Sequence, residues 1–196
     1  MTSSRNTAGQ LLLGFAVATA VAACAPASDK ADASATTAIT TMTPRVAADS
    51  TPDADRQFLR MMSDHHKGLI EIVHMTQDRT SGGPEIADAK MLDAAQDKQL
   101  DDMVTMLEKE YKDPYSPSVM PEHRAMLDAL KGKSGKDYSR TFYQDIIKHH
   151  EEALAMIDAY LPNAKSATVK QMAEMMKTMQ AKEVATFGGK LKTLGG

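Results

Sequence analysis

Apolar residues recur at three- and four-residue steps over four stretches of the chain, with polar punctuation between them. Phe58, Met62, Leu69 and Val73 form the first stripe. It predicts an amphipathic helix that starts behind an N-cap at Asp53 and is stopped by SGGP at 81–84. Leu92, Ala95, Met103, Met106 and Leu107 predict a second helix from about Glu85 to Tyr111. The pattern returns from about Lys136 to Leu161 and, after a turn at PNAK, from Ser166 to about Leu191. Between the two hairpins lies DPYSPSVMPEHRAMLDALKGKSGKD, whose three prolines and two glycines predict a long connector. One short helix, Pro121 to Leu130, is expected within it.

The second hairpin repeats the first. At an offset of 84, without a gap, Phe58 falls on Phe142, Met62 on Ile146, and His65 and His66 on His149 and His150. Ile70 falls on Leu154, Met91 on Met175, Leu92 on Met176, Gln96 on Gln180, Leu100 on Val184 and Met103 on Phe187. Duplication of one helix-turn-helix unit explains this. The fold class expected is all-α, a ferritin-like four-helix bundle built from two repeated helical hairpins with a long crossover connector. The repeats occupy 53–111 and 136–192, the connector 112–135 and the whole domain 51–196.

The chain ahead of this domain differs in kind. Residues 1–23 carry Arg5 and then LLLGFAVATAVAA, an apolar run too short for a spanning helix, which reads as a secretory signal. It ends at Cys24, the chain's one cysteine, so no internal disulfide is available. VAAC resembles a bacterial lipobox, and the expectation is a lipidated Cys24 on an exported protein. Residues 24–50 are rich in Ala, Ser, Thr, Pro and Asp and have little to bury, which predicts a disordered tether spanning roughly 30 Å. Ala25 follows the cysteine where aspartate signals inner-membrane retention in Gram-negative bacteria. The periplasmic face of the outer membrane is therefore expected if the host has one.

Loss of Arg5 with the leader moves the formal charge from −3 to −4 and leaves no basic block, which argues against nucleic-acid binding. Fifteen methionines and no tryptophan are the compositional oddity.

Four of the six histidines form the two adjacent pairs. His65 and His66 fill the step between Met62 and Leu69, and His149 and His150 that between Ile146 and Ala153. Neighbours on a helix differ by about 100°, so each pair straddles the seam of the bundle. Folding each hairpin about its turn brings the first pair level with Gln96 to Gln99. The second comes level with Gln180 to Glu183, one turn from Met176 and Met179. Buried imidazoles, amides and a carboxylate at one level are costly in an apolar core unless partnered. A bound metal is one partner, and a hydrogen-bonded polar layer without metal is the other. The stripe Met172, Met175, Met176, Met179 offers sulfur ligands or plain core packing.

Ligand softness narrows the metal. Imidazole suits copper, zinc, iron and nickel, and thioether selects Cu(I). Met62 precedes His66 by one turn, and Met156 follows His149 by about two. A di-iron carboxylate centre needs Glu-x-x-His on two helices. The chain has one, Glu71 to His74, off the apolar stripe, with Ala155 and Asp158 as its repeat equivalents. Nucleophile elbows, phosphate loops and paired thiols are absent from the sequence.

M-x-x-H-H at Met62 to His66, the second H-H at His149 and His150, and Q-x-x-[QE] at Gln96/Gln99 and Gln180/Glu183 resemble the domain of unknown function 305 family. The resemblance covers about residues 53–191. It implies a ferritin-like four-helix bundle in exported bacterial proteins, some of which bind copper and are associated with copper tolerance. The family's methionines and histidines match Met62, His65, His66, His149, His150 and, through H-H-x-x-A-x-x-M, Met156. The chain departs from the pattern at Ile146 and Ile72, where methionine is usual, and in lacking a tryptophan near the end of the second helix. Each half keeps a different methionine. One shared site on the pseudo-twofold axis, or one strong and one weak site, fits this better than two equal sites.

The functional expectation is an exported Cu(I)-binding protein that buffers, sequesters or hands on the metal without turnover. Its metal ligands are His65, His66, His149, His150, Met62 and Met156. Gln99, Glu183, Met176 and Met179 stand as orienting or additional groups, and Cys24 as the lipid anchor. A metal-free interaction or structural module is the alternative, with a ferritin-like redox enzyme behind it. Protein partners and a homo-oligomer stay open.

Overall fold

Asp53 starts the first helix as the sequence predicts: its Oδ1 accepts from the backbone N–H of Asp55 at 3.0 Å and of Arg56 at 3.4 Å. The computed structural model describes residues 53–79 and 82–195. The leader, Cys24 and the tether lie outside the described residues, as do Thr80 and Ser81 in the first turn. Five α-helices follow: α1 (Ala54–Gln77), α2 (Glu85–Lys109), α3 (Pro121–Lys131), α4 (Gly135–Tyr160) and α5 (Ala167–Thr193), with a 3-10 turn, Leu161–Asn163, before α5. The four long helices and the short connector helix agree with the periodicity to within two residues at most ends. Among the described residues no helix is long and apolar enough to cross a membrane.

Each hairpin is antiparallel, and α1 and α4 also run antiparallel to each other. Phe58 at the start of α1 stacks on Tyr160 at the end of α4, ring centroids 4.1 Å apart. At the other end the hydroxyls of Thr76 and Tyr138 meet at 2.8 Å. The core is divided. One apolar cluster gathers Leu69, Val73, Leu92, Phe142, Ile146 and Phe187. The other gathers Phe58, Met62, Met103, Ala153, Ile157 and Met176. The repeat offset maps each of these residues onto a member of the opposite cluster. A pseudo-twofold axis thus exchanges the two halves of the core, and each fully buried Phe, Leu or Ile contributes about 1.5–3 kcal/mol.

Symmetry-related joints are built from different chemistry. Near the start of α1, Asp55 reaches the turn before α5, accepting from Lys165 N at 3.0 Å, Ser166 N at 2.8 Å and Tyr160 Oη at 2.5 Å. Its repeat equivalent is Ser139, which donates to Glu85 at 2.7 Å, while Glu85 also accepts from Gly83 N at 2.9 Å. The connector is tied along α1: Arg60 pairs with Asp113, and Asp64 accepts from Tyr115 Oη at 2.6 Å and Ser118 N at 2.7 Å. It thereby delivers α3 over the α1–α4 seam, where Met126 and Leu130 join the core.

Candidate metal centre

Between the two apolar clusters lies a layer of buried polar side chains: His65, His66, Gln96, His123, His149, His150 and Gln180. The paired histidines divide their duties by which way each faces. His65 and His149 turn toward each other, ring centroids 3.7 Å apart, on the side covered by α3. His66 and His150 turn toward α2 and α5, where Gln99 and Glu183 stand at 2.8 and 2.9 Å. The hairpin levels expected from the sequence are those found.

A third imidazole completes the first group. His123, in the first turn of α3, is fully buried, and its ring lies 4.9 Å from His65 and 4.8 Å from His149. One ligating nitrogen from each of His65, His123 and His149 falls within 4.8 Å of the others. The room for His123 comes from Gly68 on α1. A Cβ there would stand 2.0 Å from His123 Nδ1. The repeat equivalent of Gly68 is Glu152, whose Oε2 lies 3.9 Å from His65 Nε2 and 4.0 Å from His123 Nε2. One half thus contributes a half-exposed carboxylate beside the imidazoles, and the other leaves a gap that the connector fills.

Burial keeps these rings uncharged. His65 is pushed down to about 2, first by desolvation and then by the neighbouring imidazoles. His149 is driven well below its ordinary value for the same reasons. Desolvation lowers His123, and takes His66 to about 4 against the opposing pull of its Met62 hydrogen bond. Neutral imidazole is the ligating form.

Hydrogen bonding distinguishes the two groups. His149 Nε2 lies 2.9 Å from the backbone carbonyl of His65. A carbonyl only accepts, so Nε2 carries the single proton and the lone pair sits on Nδ1, which is buried without a partner. Both nitrogens of His65 and both of His123 are likewise buried and unpartnered. His66 is different. Its Nδ1 donates to the Met62 carbonyl at 2.9 Å, so Nε2 must accept. The Gln99 amide, with Oε1 2.8 Å away, serves that lone pair when its near-isosteric ends are exchanged, nitrogen inward. His150 approaches Glu183, yet neither of its ring nitrogens completes a hydrogen bond. Gln180 is unpartnered at both amide atoms and Gln96 at its oxygen.

Each buried, unpartnered polar group costs about 1–3 kcal/mol. Each neutral ring offers one lone pair, so His65, His123 and His149 together present three, a donor set that a metal ion fits, since each would become a bond. The methionines are placed differently. Met62 packs in the apolar cluster of Phe58 and Met103, with Met176. Met156 lines a surface hollow of about 420 Å³ with Phe58, Met61 and Tyr160. It is seven residues past His149, roughly 10 Å along the axis. Met179 Sδ lies 3.9 Å from the outer end of the Gln99 amide and so belongs to the His66 side.

His123, Gly68 and Glu152 had no place in the sequence expectation. The readable signal was the connector stripe His123, Met126, Leu130, which puts an imidazole on a buried face, together with a glycine in mid-helix at 68. The pairing of the two is tertiary.

In overall form the chain is similar to CopM in its Cu(I)-bound form, with a TM-score of 0.63 at 21% identity, covering 72% of this chain and 98% of that one. Similar likeness extends to a DUF305 fragment from Deinococcus radiodurans (TM-score 0.65, 24% identity, 73% and 97% covered). It extends also to a putative secreted DUF305 protein from Streptomyces coelicolor (TM-score 0.65, 22% identity, 73% and 93% covered). CopM has also been solved with Cu(II) and with silver. No curated protein matches the chain in sequence. The family model described as Domain of unknown function (DUF305) matches residues 17–107 and 55–191, and the chain belongs to that family.

Proposed function

We propose that this domain binds copper, as Cu(I), at the imidazole layer, and that it buffers or hands on the metal without turnover. The observation that carries the reading is the convergence of His65, His123 and His149, drawn from α1, the connector and α4, with unpartnered nitrogens in a buried layer. A shared site on the pseudo-twofold axis accounts for a duplicated chain in which only one half keeps a histidine-sized gap. His66 and His150, with Gln99 and Glu183 behind them, form the adjoining polar layer that holds α2 and α5 in register with the site. CopM, of the same fold, is known in copper- and silver-bound forms, which supports a soft ion. Two or three imidazoles satisfy Cu(I), and thioethers favour the same oxidation state.

The setting belongs to the same proposal. The apolar leader and VAAC support export and lipidation at Cys24, with residues 24–50 holding the domain clear of the headgroups. In such a compartment thiols are unreliable ligands, and a site built from histidine keeps its donors.

The test is a Cu(I) titration of the full chain against a chromophoric competitor. The expected result is one tight site, abolished in His65→Ala/His149→Ala and weakened at least tenfold in His123→Ala. If the unaltered chain does not compete for Cu(I), the copper reading is wrong, and the layer is a metal-free polar core.

A further inference from the structure

A second cluster of metal-ligating groups lies outside the buried layer, across the α1–α2 hairpin. We propose that His74, Asp93 and Asp97 form a surface site for a hydrated divalent metal ion, distinct in place and chemistry from the imidazole layer. His74 stands in the last turn of α1, and Asp93 and Asp97 lie one turn apart on α2. One ligating atom from each comes within 4.8 Å of the others. His74 Nε2 and Asp93 Oδ1 are 2.8 Å apart. Two ligands at right angles on one ion, each at about 2.1 Å, would stand about 3 Å apart, so a metal binding both atoms requires little movement.

The carboxylate is held ready. Gln77 Nε2 donates to Asp93 Oδ2 at 2.9 Å, fixing the side chain with Oδ1 turned toward His74 and shut away from solvent. With the imidazole neutral the trio carries two negative charges. Among the described residues no lysine or arginine pairs with Asp93 or Asp97. The C-terminal end of α1, where backbone carbonyls lack helical partners, adds to the negative potential.

The duplication supplies an independent sign that this place calls for a cation. At the offset of 84, His74 becomes Asp158, Asp93 becomes Lys177 and Asp97 becomes Ala181. In the second half Lys177 Nζ meets Asp158 Oδ1 at 2.5 Å. There the chain provides its own cation between the two helices. In the first half the same position holds two carboxylates and an imidazole. An imidazole–carboxylate set with room for water suits Mn(II), Zn(II) and similar divalent ions better than Cu(I), which prefers soft donors.

The test uses Mn(II) and the full chain. Loss of the free Mn(II) electron paramagnetic resonance signal should report one site. Paramagnetic broadening of amide signals should centre on residues 74, 93 and 97 of the unaltered protein. His74→Ala and Asp93→Asn should each weaken binding at least tenfold, and Asp158→Asn, at the mirror position, should leave it unchanged. No binding up to millimolar Mn(II), broadening centred elsewhere, or affinity indifferent to both variants would each overturn the proposal. None of these outcomes depends on whether the imidazole layer takes copper.

Discussion

His149 Nε2 is 2.9 Å from the backbone carbonyl of His65, its own counterpart in the repeat. That one contact decides which nitrogen of His149 is free, because the proton committed to the carbonyl leaves the lone pair on Nδ1. The bond also breaks the symmetry of the duplicated pair. His149 is oriented by its partner's main chain, whereas His65 is unpartnered at both nitrogens. A two-fold repeat with identical halves would put two equal sites side by side. Here Gly68 faces Glu152 across the axis, and the connector's His123 fills the space that the glycine leaves. The result is one three-imidazole cluster with a carboxylate at its edge.

The buried imidazoles make the metal-free domain acid-sensitive. Their folded-state values lie below the ordinary 6.5, so between those values and 6.5 the unfolded chain binds more protons than the native one. Stability is therefore complete above about pH 7 and falls as the pH drops through 6.5. The loss from His66 levels off near its folded value of about 4, whereas that from His65 continues toward about 2. Each such group costs about 1.4 kcal/mol per pH unit in this window. Urea unfolding of metal-free protein should show at least about 2 kcal/mol less stability at pH 5.5 than at pH 7.5. A flat profile would mean that these rings are solvated.

Gly68→Ala tests the connector's seat. Elsewhere in a helix the change stabilises by about 1 kcal/mol. Here the new methyl meets His123 Nδ1 at 2.0 Å and Cγ at 2.4 Å, so α3 must lift or the ring must turn out. Overpacking of this kind costs about 1–3 kcal/mol. The double variant with His123→Ala should recover most of that stability in a denaturant melt without recovering metal affinity. Recovery of both would show that His123 does not ligate.

Asp55 is the other single point of failure. Removing its carboxylate by Asp55→Ala strands Tyr160 Oη and the N–H groups of Lys165 and Ser166 at the start of α5. A loss of about 3 kcal/mol is expected from charge-assisted bonds in a buried setting. Hydrogen exchange should show the first turns of α5 opening before α1 does. Uniform exchange along both helices would contradict the assignment of this joint.

The bundle was legible because periodicity and duplication are local properties of the chain, and the stripes around Phe58 and Phe142 needed no tertiary information. The level at which Gln99 and Glu183 meet the histidines was legible too, since antiparallel hairpins fix it by counting from the turn. The choice between the members of each pair was not. Both His65 and His66 lie on the buried side, and only the helix opposite each one settles which meets amide and which meets imidazole. His123 was hidden for a different reason. The connector has no counterpart in the repeat, so the argument that drew attention to the pairs could not reach it. Met156 lies on the same helix as His149, two turns of rise beyond the ring, and lines a surface hollow.

The four paired histidines therefore should not behave alike when each is replaced by alanine. His66 has both nitrogens engaged, by the Met62 carbonyl and the Gln99 amide, and a metal could reach it only by displacing the amide. His149 and His65 present lone pairs with nothing to give up. Competitive titration should show Cu(I) affinity falling at least 100-fold in His65→Ala or His149→Ala and less than tenfold in His66→Ala. Stability should report the reverse emphasis. In metal-free protein His66→Ala strands the Gln99 amide, at about 1–3 kcal/mol. His65→Ala removes two atoms that were already unsatisfied, and should cost less in the same denaturant melt. With Cu(I) at 100 times its dissociation constant the parent gains about 2.7 kcal/mol, a gain that His65→Ala should forfeit and His66→Ala should largely keep. Equal losses of affinity across all four would place the metal between the pairs, shared by both faces of α1 and α4, and would retire the three-histidine site.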